Sequence, residues 1–165
     1  MNLWEDLFRI RDYQREQLKH VRSVVKFKEI PWELNSQGRM KWYLHPSIKD
    51  TAHHAIIVYV QEIPPGSHSG KIKHQGGTIF YIWKGKGYSI INDKRFDWEG
   101  EDILILPIDK DKGVTYQHFN SDPSNPALLI YAAPNVVDSL GVDVGIGLEQ
   151  LENCPEWDAE IRKGR

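Results

Sequence analysis

Two patterns of hydrophobic positions divide the chain into a helical beginning and a strand-rich centre. From Asn2 to about Val25, apolar residues recur at the spacing of one helix face, and Asn2 is placed to cap the first turn. After Pro31, short runs rich in Val, Ile, Tyr and Trp alternate apolar with polar positions and are separated by Gly, Pro, Asn and Asp. The pattern predicts one amphipathic helix followed by an all-β region.

The regular spacing of the apolar runs favours a sandwich or barrel over alternating strand and helix units. The predicted strands are Met40 to Leu44, Ala55 to Glu62, Thr78 to Lys84, Gly87 to Ile91, Ile103 to Leu106, Thr115 to Asn120 and Ala127 to Ala132. Asn92-Asp93 and Gly76-Gly77 predict tight turns. The expected organisation is an N-terminal helical extension (residues 1–29), a barrel (30–135) and a C-terminal tail with a short helix (136–165).

Composition and charge narrow the class of protein. A chain of 165 residues with 40% hydrophobic and 27% charged residues is typical of one soluble domain. The net charge of -2 gives no reason to expect nucleic acid or a membrane surface as a partner. The basic face of the helix is interpreted as solvated or as a docking surface for an acidic partner. Cys154 is the only cysteine, so a reducing, cytoplasmic location is expected.

Two stretches, Pro64–Gly87 and Gly100–Asn120, together resemble the two halves of the cupin signature. The residues that match the first half are Gly66, His74, Gly77 and Gly85. Ile72 and Thr78 stand where the resemblance expects the first histidine and the glutamate, and Tyr116 stands at the histidine of the second half. The similarity is to small single-domain cupins related to gentisate dioxygenase. It implies an all-β fold, a double-stranded β-helix or jelly-roll barrel with an N-terminal helix.

The resemblance also implies a metal site, which this sequence retains only in part. Alternate residues of a strand share one face, so the motif directs several imidazoles and a carboxylate into the barrel. Ile72 cannot bind a metal, Thr78 offers a neutral hydroxyl, and Tyr116 would have to lose a proton whose pKa is usually about 10. The alternative expectation is a shifted site made of His74, His118 and His68. The expected cofactor is Fe(II) or another divalent transition metal, or none.

Two hypotheses about function follow from the resemblance. In the first, the protein is a dioxygenase-like oxidoreductase that acts in the catabolism of aromatic or other small acidic compounds through a displaced metal site. The predicted residues are His74, His118 and His68 for the metal, Tyr116 and Thr78 for catalysis, and Phe80 and Ile82 for substrate binding. In the second, catalysis is lost, and the barrel is a small-ligand binder or the accessory subunit of a two-component ring-cleaving enzyme such as hydroquinone dioxygenase. The expected partners are a small aromatic ligand and either a second copy or a larger oxygenase subunit.

Overall fold

The computed structural model describes residues 2–109 and 111–164. Its strands enclose a common core, and helices lie at both ends of the chain. The strands are β1 (Glu33–Asn35), β2 (Gly38–Leu44), β3 (Ile56–Ile63), β4 (Lys71–His74), β5 (Thr78–Lys84), β6 (Lys86–Ile91), β7 (Lys94–Glu99), β8 (Ile103–Leu106), β9 (Val114–Asn120), β10 (Ala127–Pro134) and β11 (Glu149–Glu152). The helices are α1 (Leu3–Leu18), α2 (Val137–Leu140), α3 (Val142–Ile146) and α4 (Pro155–Lys163).

The strands form two antiparallel sheets. The first has the order β1-β2-β3-β10-β5-β8 and the second the order β11-β4-β9-β6-β7. The predicted all-β architecture with an N-terminal helix is confirmed. Among the described residues, no helix combines the length and apolar character that a membrane crossing requires.

The alternation of burial along β5 and the shared strand face along β9 show which side chains point inward. Along β5, Thr78, Phe80 and Ile82 are buried while the residues between them are more exposed. Along β9, Tyr116 and His118 are buried on the same face. The two sheets therefore bring these side chains to one interior, where most of the apolar core lies.

Helix α1 lies outside this core. The side chain of Asn2 accepts hydrogen bonds from the backbone N–H groups of Trp4 and Glu5, at 3.1 and 3.4 Å, and so caps the first turn as predicted. The helix ends at Leu18, earlier than the predicted Val25, and none of its residues is buried. Its apolar residues are exposed, so tertiary packing within the chain does not account for them.

The C-terminal tail is more structured than the predicted loop with one short helix. It contains α2, α3, β11 and α4, and β11 pairs with β4 at the edge of the second sheet. The four residues of β11 are all exposed, so its sequence carries no alternation that would predict a strand. Helix α3 is held by Gln75, whose backbone N–H donates to the carbonyl of Ile146 at 3.0 Å and whose side-chain amide donates to the carbonyl of Gly145.

We expect Phe80→Ala to lower the free energy of unfolding by about 3–5 kcal/mol, because truncating a fully buried ring leaves a cavity. Phe80 contacts the rings of Tyr116, His118 and Tyr131. Ile79→Ala, one residue earlier on the exposed face, is the control and should cost less than about 1 kcal/mol. Urea unfolding measures both values, and equal losses would contradict the assignment of the inner face.

Candidate functional site

A cavity of about 420 Å³ opens into the barrel between the two sheets. Its inner wall consists of aromatic and apolar side chains: Met40, Trp42, Ile57, Tyr59, Ile72, Tyr116 and Tyr131. Exposed residues such as Ser47 and Leu148 also line it, so the cavity is open to solvent on that side. Within the described part of the chain, its lining includes no Asp, Glu, Lys or Arg side chain. The cavity is therefore aromatic and uncharged.

The register of four neighbouring strands places one aromatic side chain from each strand in a single row, which we call the aromatic row. Trp42 of β2 pairs with Tyr59 of β3, Tyr59 with Tyr131 of β10, and Tyr131 with Phe80 of β5. The rings of Tyr59 and Tyr131 are stacked, with centroids 4.4 Å apart and an interplanar angle of 8°. Trp42 meets Tyr59 edge to face at 4.9 Å. Direct cross-strand pairing explains these contacts.

Two histidines line this cavity: His45 is partly buried, and His74, at the end of β4, is fully buried on the inner wall. It is 2% exposed, and its Nδ1 accepts a hydrogen bond from the backbone N–H of Gly76 at 2.8 Å. A neutral imidazole that accepts at one nitrogen carries its proton on the other. Burial lowers the pKa of His74 to about 4, so the ring is neutral near pH 7. Its Nε2–H is a buried donor without a partner among residues 2–109 and 111–164.

The local sequence explains why this N–H reaches the imidazole. Gly76 has a φ of +84°, in the left-handed region that glycine adopts readily. A Cβ at this position would lie 1.8 Å from the carbonyl oxygen of Pro107, so a larger residue has no room. The tight turn at Gly76 therefore fixes both the path of the chain and the hydrogen-bonding state of His74.

His118, on β9, belongs to a different buried hydrogen-bond chain. Trp98 Nε1–H donates to Ser89 Oγ at 2.9 Å, and Ser89 Oγ lies 2.6 Å from His118 Nδ1. If the serine hydroxyl donates to the imidazole, His118 also carries its proton on Nε2, which is buried and has no hydrogen-bond partner among the described residues. Burial lowers the pKa of His118 to about 3. Its ring packs 4.4 Å from that of Phe80 and does not line the cavity.

Comparison with known proteins identifies the architecture. No protein-family model and no curated protein sequence matches the chain. Among solved structures, a mutant salicylate 1,2-dioxygenase from Pseudoaminobacter salicylatoxidans in complex with gentisate is 13% identical, with a TM-score of 0.56 over 73% of this chain and 31% of that one. A cupin-like protein from Thermotoga maritima is 19% identical, with a TM-score of 0.52 over 81% and 97% of the two chains. The chain has the cupin fold.

A third neighbour of the same fold has a different activity in its name. The polyketide cyclase RemF from Streptomyces resistomycificus is 10% identical, with a TM-score of 0.56 over 69% of this chain and 80% of that one. The chain spans about a third of the length of the salicylate dioxygenases that it matches. These likenesses confirm the predicted fold, including its similarity to dioxygenase cupins.

The residues at the expected cupin metal positions lie together, but they do not form a metal-binding set. Ile72 is the register partner of Tyr116, and His74 is the partner of Val114. His118 is four residues further along β9 than Val114, a distance of about 13 Å along a strand. Tyr116 lies midway and contacts both imidazoles, with ring centroids 5.1 Å apart in each case. Histidines that share one ion must bring their nitrogens within about 2.1 Å of it.

The tautomer of His74 is also unsuited to binding a metal ion through Nε2. An imidazole that binds a metal through Nε2 needs its proton on Nδ1, where a second partner normally accepts it. In His74 that nitrogen instead accepts the N–H of Gly76. No group of three or more His, Cys, Asp or Glu side chains suited to a metal ion occurs among residues 2–109 and 111–164. The described donor set therefore does not fit the metal of a catalytic cupin.

His68, the third predicted ligand, lies apart from His74 and His118. Its Nδ1 is 2.8 Å from the carbonyl of Ser69 and 3.0 Å from the side-chain amide of Gln117. Gln117 alternates with His118 along β9, so His68 packs against the opposite face of the strand. Because His68 lies in a loop, the sequence did not indicate the direction of its side chain.

The other predicted site residues face the interior at different depths. Tyr116 lines the large cavity, and burial, followed by the charge of Tyr131, raises its pKa well above the usual value. Thr78 lines a smaller adjoining chamber. Phe80 and Ile82 are fully buried and line neither space, so they support the wall from behind. The roles of Tyr116 and Thr78 in catalysis, and of Phe80 and Ile82 in substrate binding, remain predictions.

Three residues of the cavity wall were not predicted as site residues: Trp42, Tyr59 and Tyr131. Each lies within a strand that the sequence predicted, and Tyr59 and Tyr131 occupy buried positions of their strands. Their common row depends on long-range strand register, which alternation alone does not give.

The buried histidines predict a dependence of stability on pH. An unfolded histidine titrates near pH 6.5, whereas burial lowers the pKa of His118 to about 3 and that of His74 to about 4. Between these values the unfolded state binds more protons, so stability falls as the pH drops. We expect a slope of about 1.4 kcal/mol per pH unit for each histidine.

His118→Asn, which keeps an acceptor for Ser89, should flatten this slope relative to wild type. His20→Asn, at an exposed position after α1, is the matched control. Denaturant unfolding between pH 4 and pH 7, the window between these pKa values, measures the slopes. An unchanged slope in His118→Asn would contradict the assignment of a neutral buried ring.

Proposed function

We propose that the protein binds a small, uncharged aromatic molecule in the large cavity without using a metal ion. The observation that carries the proposal is an uncharged cavity walled by Trp42, Tyr59 and Tyr131 of the aromatic row, in which the Nε2–H of His74 is a donor without a partner among the described residues. Aromatic rings bind other aromatic rings through stacked and edge-to-face contacts. A single hydrogen-bond donor in such a wall fixes the orientation of a ligand that carries an acceptor.

The size of the cavity supports a ligand of small-molecule dimensions. Its volume of about 420 Å³ falls in the range of roughly 300–1,000 Å³ typical of small-molecule sites. Trp42 lies at the end of the aromatic row, half-buried, on the side of β2 next to the loop at His45. A planar ring that enters the cavity can therefore contact Trp42 and Tyr59 before it reaches His74.

The charge of the lining favours neutral ligands over acids. A buried carboxylate needs a cationic or multiply donating partner to offset its lost hydration. Among the residues that the structure describes, the lining contributes no Lys or Arg, and burial keeps His74 neutral by lowering its pKa to about 4. The aromatic part of the hypothesis from the sequence is therefore kept, whereas the acidic part has no support in this lining.

The likeness to an enzyme solved with an aromatic compound supports an aromatic ligand, but not the choice of an uncharged one, because gentisate is a carboxylate. The salicylate dioxygenase neighbour was solved with gentisate, an aromatic molecule, and RemF acts as a polyketide cyclase. A role in aromatic metabolism is consistent with both. Dioxygenase chemistry at a displaced metal would require His74 to release its bond to Gly76 and to meet His118 across Tyr116, so binding is the simpler role.

A partner protein remains a prediction from the sequence. The apolar residues of α1, including Trp4 at 67% exposure, and the outward isoleucines of β8, including Ile105 at 68%, are exposed in the described chain. Such surfaces are common at protein interfaces. Association with a second copy or with a larger oxygenase subunit would cover them, and the accessory role is compatible with ligand binding.

Calorimetric titration with 1-naphthol and 1-naphthoate at neutral pH tests the ligand class. We expect 1-naphthol to bind and 1-naphthoate to bind at least about tenfold more weakly, because its carboxylate would be desolvated without a partner. Tighter binding of the acid would contradict the proposal.

Trp42→Ala should weaken binding of 1-naphthol by roughly 2- to 10-fold, the usual worth of one aromatic contact. Trp83→Ala is the matched control, since Trp83 points away from the barrel interior and packs on Phe27 with ring centroids 5.6 Å apart. Equal effects of the two substitutions would show that the ligand does not lie against the aromatic row.

Metal analysis after anaerobic incubation with Fe(II), Mn(II) or Zn(II) tests the metal-free part of the proposal. We expect no stoichiometric metal after gel filtration, and affinity for 1-naphthol that a chelator does not change. Stoichiometric metal that is lost in both His74→Asn and His118→Asn would instead establish the displaced site predicted from the sequence.

A further inference from the structure

A second, smaller chamber of about 180 Å³ adjoins the large cavity. His74, Tyr131 and Ile146 line both spaces, so the two meet at these side chains. The smaller chamber is otherwise lined mainly by the turn after β4, by Thr78 and by apolar residues such as Ala133. A ligand in the large cavity can therefore extend past His74 into this chamber.

Two buried polar atoms in the lining of the smaller chamber have no hydrogen-bond partner in the part of the chain that the structure describes. They are Nε2 of His74 and Oγ1 of Thr78, in side chains that are 2% and 5% exposed. Buried polar groups are normally paired, and an unpaired one is costly to stability. Two such atoms beside one small space point to an occupant that pairs with both.

The fold brings these two side chains together across the turn. His74 ends β4 in the second sheet, and Thr78 begins β5 in the first sheet. The turn between them is anchored by the N–H of Gly77, which donates to the carbonyl of Leu106 at 3.0 Å. The pair is therefore held by a tight connection between the sheets and needs no long flexible loop.

The hydrogen-bonding capacity of the pair defines its partner. His74 offers only a donor, because its Nδ1 is occupied by Gly76. Thr78 offers a hydroxyl that can donate or accept. A single oxygen with two lone pairs can accept from both, and neither side chain carries a charge that would require an anion.

We propose that His74 and Thr78 together bind one uncharged acceptor oxygen, such as that of an aryl ketone or quinone, while the aromatic body of the same ligand lies in the large cavity. This inference rests on the proposed function and adds the chemical group by which the ligand is recognised. In this cupin, two positions of the metal motif thus form a hydrogen-bonding pair for an organic oxygen.

A matched pair of probes tests the inference: 2-acetylnaphthalene and 2-ethylnaphthalene differ chiefly by one carbonyl oxygen. We expect the wild-type protein to bind the ketone roughly tenfold more tightly, since two hydrogen bonds to a neutral acceptor are formed. Thr78→Val should reduce ketone affinity about 3- to 10-fold and leave hydrocarbon affinity unchanged. His74→Asn, whose amide oxygen can still accept the Gly76 N–H, should act in the same way.

Thr115→Val is the control, because Thr115 lies on the outward face of β9. The carbonyl stretch of bound, isotope-labelled 2-acetylnaphthalene gives a second readout. It should shift to lower frequency in the wild-type protein, and Thr78→Val should reverse part of that shift. If His74→Asn does not fold, Thr78→Val and the carbonyl frequency decide the matter.

The outcomes separate this inference from the proposed function. Equal binding of the two probes, with no effect of Thr78→Val and no carbonyl shift, overturns the inference and leaves aromatic binding intact. Failure of both probes to bind the wild-type protein overturns the proposed function and the inference together.

Discussion

The hydrogen bond from the Gly76 N–H to Nδ1 of His74 is the constraint on which the account depends. It assigns the proton of a neutral imidazole to Nε2, the atom that faces the cavity. Burial keeps the ring neutral by lowering its pKa to about 4. In the proposed site, a histidine at a cupin metal position is therefore a donor for an oxygen and not a ligand for a cation.

The register of the strands combines this local constraint with the other residues of the proposed binding site. The β4–β9 register separates His74 from His118 and places Tyr116 opposite Ile72. The registers across β2, β3, β10 and β5 assemble the aromatic row on the facing sheet. The same backbone pairing that stabilises the barrel thus keeps His74 and His118 from sharing a metal ion, and it favours the proposed aromatic ligand.

The sequence predicts local features well because they depend on local patterns. The bounds of β5 and β8 match the predicted Thr78–Lys84 and Ile103–Leu106, where apolar and polar residues alternate clearly. The inward direction of Thr78 and Tyr116 likewise follows from alternation. By contrast, β1, β4, β7 and β11 were not predicted, since their residues are largely charged or polar and become strands through pairing with neighbours.

Features that depend on distant parts of the chain could not be predicted in the same way. The aromatic row requires a register between strands far apart in sequence, and the direction of His68 depends on its packing against β9. Even the hydrogen-bonding state of His74, set two residues away, needs the left-handed turn that Pro107 confines.

The most direct test is nitrogen-15 NMR of the His74 imidazole, assigned by comparison with His74→Asn, in the protein without ligand near pH 7. The account predicts a neutral ring with the proton on Nε2 and an unprotonated, hydrogen-bonded Nδ1, unchanged when Fe(II) or Zn(II) is added. A proton on Nδ1, a charged imidazolium, or a shift of Nε2 on addition of metal would contradict it.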